Sequence, residues 1–138
     1  MNTEQEALKR ICDQYEILIL YAFGSRADEA WQYVQHGTPL KEGSSDLDIG
    51  VLPAQPLHVK QKVTLTIALE DFFNVNRVDL VVIPEAGPFL AANIIRGERL
   101  YAKDNRQADE YDLYILRRAG DLAFFEQERM KLTLRAKE

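Results

Sequence analysis

Apolar and polar positions along this chain switch between two periods, and the switches mark an ordered series of elements. Ile17-Leu18-Ile19-Leu20-Tyr21-Ala22-Phe23 is an unbroken run of branched and apolar residues ending at Gly24, the pattern of a buried strand. A second run spans 47–52 and is ended by Pro53; a third spans 78–83 and is stopped by Pro84. Between them, residues 58–73 repeat Leu65, Ala68, Leu69, Phe72 and Phe73 at the spacing of one helical face. Residues 3–14 predict a helix, with Thr3 as cap, Glu6 three residues on, and Ala7, Leu8 and Ile11 to one side. A helix over 26–35 is broken by Gly37, Pro39 and Gly43, and a short helix over 87–96 is stopped by Gly97. Leu100-Tyr101 predicts a short edge strand. The last helix runs from about 106 to 131, with Tyr111, Tyr114, Ile115, Leu122 and Phe125 on one stripe and Gly120 in its middle.

Helix, strand, helix, strand, helix, strand, helices is the order of an α/β fold: a small mixed sheet flanked by helices. The 138 residues, without repeats or low-complexity tracts, suit a single domain over 1–138. Cys12 is the only cysteine, which excludes an internal disulfide and a cysteine zinc cluster. There is no apolar run of membrane length and no signal-like start, so the cytoplasm is the expected location. With 17 Lys plus Arg against 22 Asp plus Glu, the net charge of −5 argues against broad nucleic-acid binding. The basic residues of the C-terminal stretch (Arg117, Arg118, Arg129, Lys131, Arg135, Lys137) read first as a solvated helix face and second as a partner-docking surface.

The chemistry lies in the strands. Ser45-Asp46-Leu47-Asp48-Ile49-Gly50-Val51 places two carboxylates one residue apart, and Val78-Asp79-Leu80-Val81-Val82 places a third in another apolar run. Alternation along a strand puts Asp46 and Asp48 on one face, roughly 6.6 Å apart. Carboxylates gathered in a packed sheet repel and lose solvation, so they call for a counter-charge or a metal. Mg²⁺ suits such oxygen-only sites, and divalent ions serve phosphoryl and nucleotidyl transfer by neutralising phosphate oxygens and activating the attacking hydroxyl. A strand carrying Asp79, if paired directly to the first, would lie ~4.8 Å away and could complete the site and supply a base. The bland alternatives are a turn or cap role for Asp46 and an Arg77–Asp79 ion pair.

Gly24-Ser25 ends the first strand. The glycine permits close approach or a left-handed turn, and the hydroxyl with the amides of a following helix can cradle phosphate oxygens. Arg26 suits either nucleotide phosphates or a structural salt bridge. Neither a Walker loop nor a Gly-x-Gly-x-x-Gly fingerprint is present. His36 and His58 stand in no metal-ligand or nucleophile–base spacing. Trp31, Tyr33 and Val34 belong to a segment too short for its own core, which either folds back on the domain or forms a flap.

A Gly-Ser turn, Ser-Asp-x-Asp opening the next strand and an aspartate in a later strand resemble the nucleotidyltransferase superfamily with the polymerase-beta-like fold. More narrowly, the chain is similar over nearly its whole length to the minimal nucleotidyltransferases (MNT), small prokaryotic proteins often encoded beside a helical HEPN-domain ribonuclease toxin. Arg26 and Ala27 after the Gly-Ser pair, and Ile95-Arg96-Gly97-Glu98-Arg99-Leu100-Tyr101, belong to that likeness. The resemblance implies an antitoxin that transfers AMP from ATP to a tyrosine of the HEPN toxin. In that scheme Gly24, Ser25 and Arg26 hold the nucleotide, Asp46, Asp48 and Asp79 bind Mg²⁺, and Asp79 is also the third carboxylate that activates the acceptor. One departure stands out: twenty residues, Arg26 to Ser45, separate the Gly-Ser pair from the first aspartate, a much longer spacing than the family's. The extra length, around 28–42, could cover the nucleotide, reshape acceptor choice or contact a partner. Two further readings stay open: a small-molecule nucleotidyltransferase of the antibiotic-modifying type, and an antitoxin that neutralises by binding alone.

Overall fold

The structure, a computed structural model, describes residues 1–43 and 45–136, without the side chains of 124, 125 and 132–136. Helix α1 (Thr3–Gln14) leads to strand β1 (Ile17–Phe23), a single 3₁₀ turn (Gly24–Arg26) and helix α2 (Ala27–His36). Strand β2 (Leu47–Pro53), helix α3 (Val59–Phe73) and strand β3 (Val78–Val82) follow; a second 3₁₀ turn (Ile83–Glu85), helix α4 (Pro88–Ile95), strand β4 (Glu98–Ala102) and helix α5 (Asn105–Ala136) complete the order.

The four strands form one mixed sheet in the order β3-β2-β1-β4. β1 runs antiparallel to both β2 and β4, whereas β2 and β3 are parallel, the pairing that demands a crossover, here α3. β4 is the edge strand expected at Leu100-Tyr101, extended to five residues.

Each face of the sheet has its own core. On one, Leu20, Ala22, Leu47, Ile49, Val51 and Val78 pack against Leu8 and Cys12 of α1, Ala30 and Val34 of α2, and Leu65, Leu69 and Phe73 of α3. Trp31 and Tyr33 join this cluster, and Tyr33 meets Phe72 edge-on at 5.3 Å, so this part of the 28–42 segment folds back onto the domain. On the other face, Ile19, Tyr21 and Phe23 pack against Ala91, Ala92, Ile94 and Ile95 of α4 and Ala108, Ile115 and Ala119 of α5. Burial of each large apolar side chain contributes ~1.5–3 kcal/mol, and β1, at the centre of the sheet, supplies both layers. Burial pushes the Cys12 thiol up, so it serves as a core side chain.

Three details differ from the sequence reading. The cap of α1 is Asn2, whose side chain accepts from Gln5 N–H at 2.7 Å while Gln5 returns a bond to Asn2 N–H at 3.0 Å. This is the expected capping box moved one residue toward the N-terminus. Helix α5 continues through Gly120 to Ala136. Its buried stripe is Ala108, Ile115 and Ala119, with Tyr111 and Leu116 alongside; Tyr114 and Leu122 face outward, because small residues let this helix lie close to α4. Phe125 is outside the described side chains. α5 is also tied to the sheet by polar contacts: the buried Tyr21 hydroxyl donates to Asp112, and Arg99 of β4 donates to Asp112 at 2.7 Å and to Asp109 at 2.9 Å. No helix among the described residues is long and apolar enough to cross a membrane.

α4 lies close to β2 because Gly50 has no side chain. A Cβ there would stand 2.5 Å from Ile94 Cγ2. Gly50→Ala is therefore expected to destabilise the protein by ~1–3 kcal/mol in urea denaturation, and adding Ile94→Leu, which removes the Cγ2 branch, should recover part of the loss.

Candidate active site

The three aspartates gather at one rim of the sheet, where β1 ends and β2 and β3 begin. In β2, Leu47, Ile49 and Val51 point into the core shared with α1–α3, so alternation turns Asp48 to the opposite face with Gly50. α4 covers that face at Gly50, leaving Asp48 one pleat beyond it. Val78 and Leu80 belong to the same core as Ile49, and Val81 to the α4–α5 core, which puts Asp79 on the face of Asp48. The parallel register aligns Asp48 with Asp79 directly. Asp46 stands just before β2.

Gly24 completes the rim. Phe23 pairs with Asp48 across β1 and β2, and the chain turns at Gly24 with φ +74°, where a Cβ would lie 2.5 Å from Asp48 Oδ2. Both the left-handed backbone and the close carboxylate require glycine. Ser25 is exposed in the turn that leads into α2, and a cavity of about 300 Å³ is lined by Ser25, Lys41, Gly43 and Ser45. A larger cavity of about 580 Å³ lies between residues 40–43 and Asn74–Asn76; none of the three aspartates lines it.

Burial raises the Asp48 carboxyl above the ordinary carboxylate range, and the charges of Asp79 and Asp46 raise it further. A cation at this rim would reverse both charge effects. Among the described residues no three His, Cys, Asp or Glu side chains already converge as a ligand cage. Mg²⁺ is commonly held by one or two carboxylates and takes its remaining ligands from water and substrate phosphate. The donor set, all carboxylate oxygen around Asp48, suits that ion.

Arg77 lies 3.9 Å from Asp46 Oδ1, its own side chain largely exposed and that of Asp46 partly so, so the ion pair that was the bland alternative for Asp79 is made to Asp46, and is weak. Arg26 takes the structural option. It is 7% exposed, and its guanidinium donates to Glu29 Oε2 at 3.2 Å, to the Ser45 carbonyl at 3.1 Å and to the Lys41 carbonyl at 2.6 Å. Glu29 was not singled out in the sequence, although its place three residues after Arg26 on α2 is a readable signal. The histidines stay away from the rim: His36 packs edge-on against Trp31 at 5.6 Å, and His58 caps α3.

Residues 6–106 match the family described as polymerase beta, nucleotidyltransferase. The chain belongs to the polymerase beta nucleotidyltransferase family. Its fold is similar to a chain of a toxin–antitoxin crystal structure with AMP-PNP, at TM-score 0.66 and 18% identity, over 94% of this chain and 98% of that one. It is similar also to a chain of the complex between the tri-AMPylated Shewanella oneidensis HEPN toxin and MNT antitoxin, at TM-score 0.64 and 17% identity, over 95% and 96% of the two chains. A third similar structure is a minimal nucleotidyltransferase, at TM-score 0.51 and 25% identity, over 70% of this chain and 87% of that one. No curated protein matches this nucleotidyltransferase at the level of sequence.

The raised Asp48 carboxyl has a consequence for stability. A group whose folded pKa exceeds its unfolded value is ionised at a cost to the folded state, and the cost vanishes below both pKa values. Asp48→Asn is therefore expected to raise the metal-free Tm at pH 7, by roughly 1–2 °C, with the gain fading as pH falls through the carboxylate range. Mg²⁺ should raise the Tm of the unmodified protein and not that of Asp48→Asn.

Proposed function

We propose that this nucleotidyltransferase is an antitoxin that transfers AMP from ATP to a tyrosine hydroxyl of a HEPN-type ribonuclease toxin, with Asp46, Asp48 and Asp79 as its catalytic carboxylates. The observation that carries the reading is the alignment of Asp48 with Asp79 beside Gly24: a rim of acid facing a turn that only glycine can make. The likeness in fold to toxin–antitoxin chains, one with AMP-PNP and one with an AMPylated toxin, supports the nucleotide and the partner.

In this scheme the acceptor oxygen attacks the α-phosphorus of ATP, the bond to the bridging oxygen of the β-phosphate breaks, and pyrophosphate leaves with that electron pair. Asp79, the most open of the three, takes the acceptor's proton. Asp48, set between Asp79 and Gly24, and Asp46 would hold Mg²⁺, which when bound neutralises phosphate oxygens and acidifies the acceptor hydroxyl. Gly24 lets the triphosphate approach the backbone, and the Ser25 hydroxyl with the amides leading into α2 binds its oxygens.

The test is intact-mass spectrometry of the HEPN-type protein encoded beside this chain, after incubation with this protein, Mg²⁺ and each nucleoside triphosphate in turn. An AMP-sized increase on a tyrosine is expected with ATP, absent with a chelator, and slowed on the order of 10²–10³-fold by Asp48→Asn. A stable complex with no mass increase would replace transfer by neutralisation through binding. Nucleotide transfer to a small hydroxyl compound alone would replace the protein acceptor.

A further inference from the structure

We infer that Lys41, presented by the long connection between α2 and β2, supplies the side-chain cation that binds the nucleotide's terminal phosphates, and that Arg26 and Glu29 are the residues that position it. The inference rests on the nucleotidyl-transfer reading above.

The connection is anchored at residue 41 from both sides of its backbone. Glu29 Oε1 accepts from Lys41 N–H at 2.9 Å, Arg26 donates to the Lys41 carbonyl at 2.6 Å, and Arg26 and Glu29 are themselves paired at 3.2 Å. The bond from Arg26, foremost, holds the Glu29 carboxyl below its ordinary range, so the clamp is ionised at neutral pH. Such a ring of charge-assisted bonds fixes the main chain; the ammonium takes no bond in it, although its charge, least of the causes, also helps lower the Glu29 carboxyl. Lys41 is exposed and borders both cavities that flank the connection, including the one lined by Ser25.

A triphosphate brings several negative charges to a rim that already holds three carboxylates, and bound metal offsets only part of that. Two cationic side chains line the cavities, Arg26 and Lys41. The guanidinium of Arg26 is buried against Glu29 and two carbonyls. Among the described residues the Lys41 ammonium makes no hydrogen bond or ion pair, which leaves it, of the two cations lining the cavities, as the one able to meet a phosphate; Arg77 at the rim is turned toward Asp46. A flexible stem with three donors suits that task.

Because the clamp uses only backbone atoms of residue 41, Lys41→Met removes the charge and keeps the anchor. Calorimetric titration of the full chain with Mg²⁺ and ATP, ADP or AMP reads the effect. Lys41→Met should weaken ATP binding about tenfold and AMP binding less than about twofold, the loss of one charge-assisted contact. Lys41→Arg should restore most of the ATP affinity. Glu29→Gln, which loosens the anchor and keeps the ammonium, should weaken ATP binding to a smaller extent, and Glu42→Gln should not weaken it. In transfer assays the Lys41→Met effect should fall on KM for ATP more than on kcat. Unchanged ATP affinity in Lys41→Met, or equal losses for ATP and AMP, overturns the assignment while leaving the transfer reading intact. Failure of the unmodified chain to bind any nucleotide with Mg²⁺ overturns both.

Discussion

The rim depends on a repulsion that the sheet does not allow to relax. Asp48 and Asp79 are directly aligned on neighbouring parallel strands, ~4.8 Å apart by the spacing of a sheet, where two like charges near a protein surface oppose each other by a few kcal/mol, ~4 at most. Slipping the register by one residue would separate them, but it would also turn Leu47, Ile49 and Val51 out of a core in which each is fully buried. The apolar face of β2 thus sets the electrostatics of its polar face. The raised Asp48 carboxyl is the residue of that conflict, and a divalent cation bound there would relieve it.

β1 carries this constraint to the rest of the molecule. Its two faces hold both cores; Tyr21 reaches α5 through Asp112, and Phe23 delivers the chain to Gly24 beside Asp48. The last helix and the acidic rim are therefore attached to one strand, two residues apart. The clamp formed by Arg26 and Glu29 begins just past that strand, so the long connection before β2 is positioned from the same turn that positions the acid.

What could be read from the sequence was what local pattern encodes. The apolar runs of β1, β2 and β3 and the helical spacing of α3 announce themselves within a few residues, and so do the carboxylates, which stand out in apolar surroundings. Pairing was different: local pattern supplies a reason for Asp48 and Asp79 to share a site, and the topology supplies the direct register between them. Arg26 was evenly divided between two roles because its partners at Lys41 and Ser45 lie 15 and 19 residues away, beyond any local signal. Spacing along the chain left an Arg77–Asp79 pair open as the bland alternative, and it is the three-dimensional arrangement that brings Arg77 to Asp46 instead. In the α5 stripe Ile115 and Tyr111 pack as the spacing predicts, whereas small residues, Ala108 and Ala119, hold the contact where Tyr114 and Leu122 were expected. Lys41 carries no motif; only the closed backbone clamp around it singles it out.

Gly24 and Asp48 form a pair that cannot vary independently. A side chain at position 24 meets two separate penalties, the left-handed backbone and the Asp48 oxygen, and the second exists only while the acid is present. In a lineage that shed Asp48, the steric part of the barrier at position 24 would disappear, and drift there would become cheaper. The glycine and the acid are thus tied by shape as well as by chemistry: the turn at Gly24 is fitted to the carboxylate beside it.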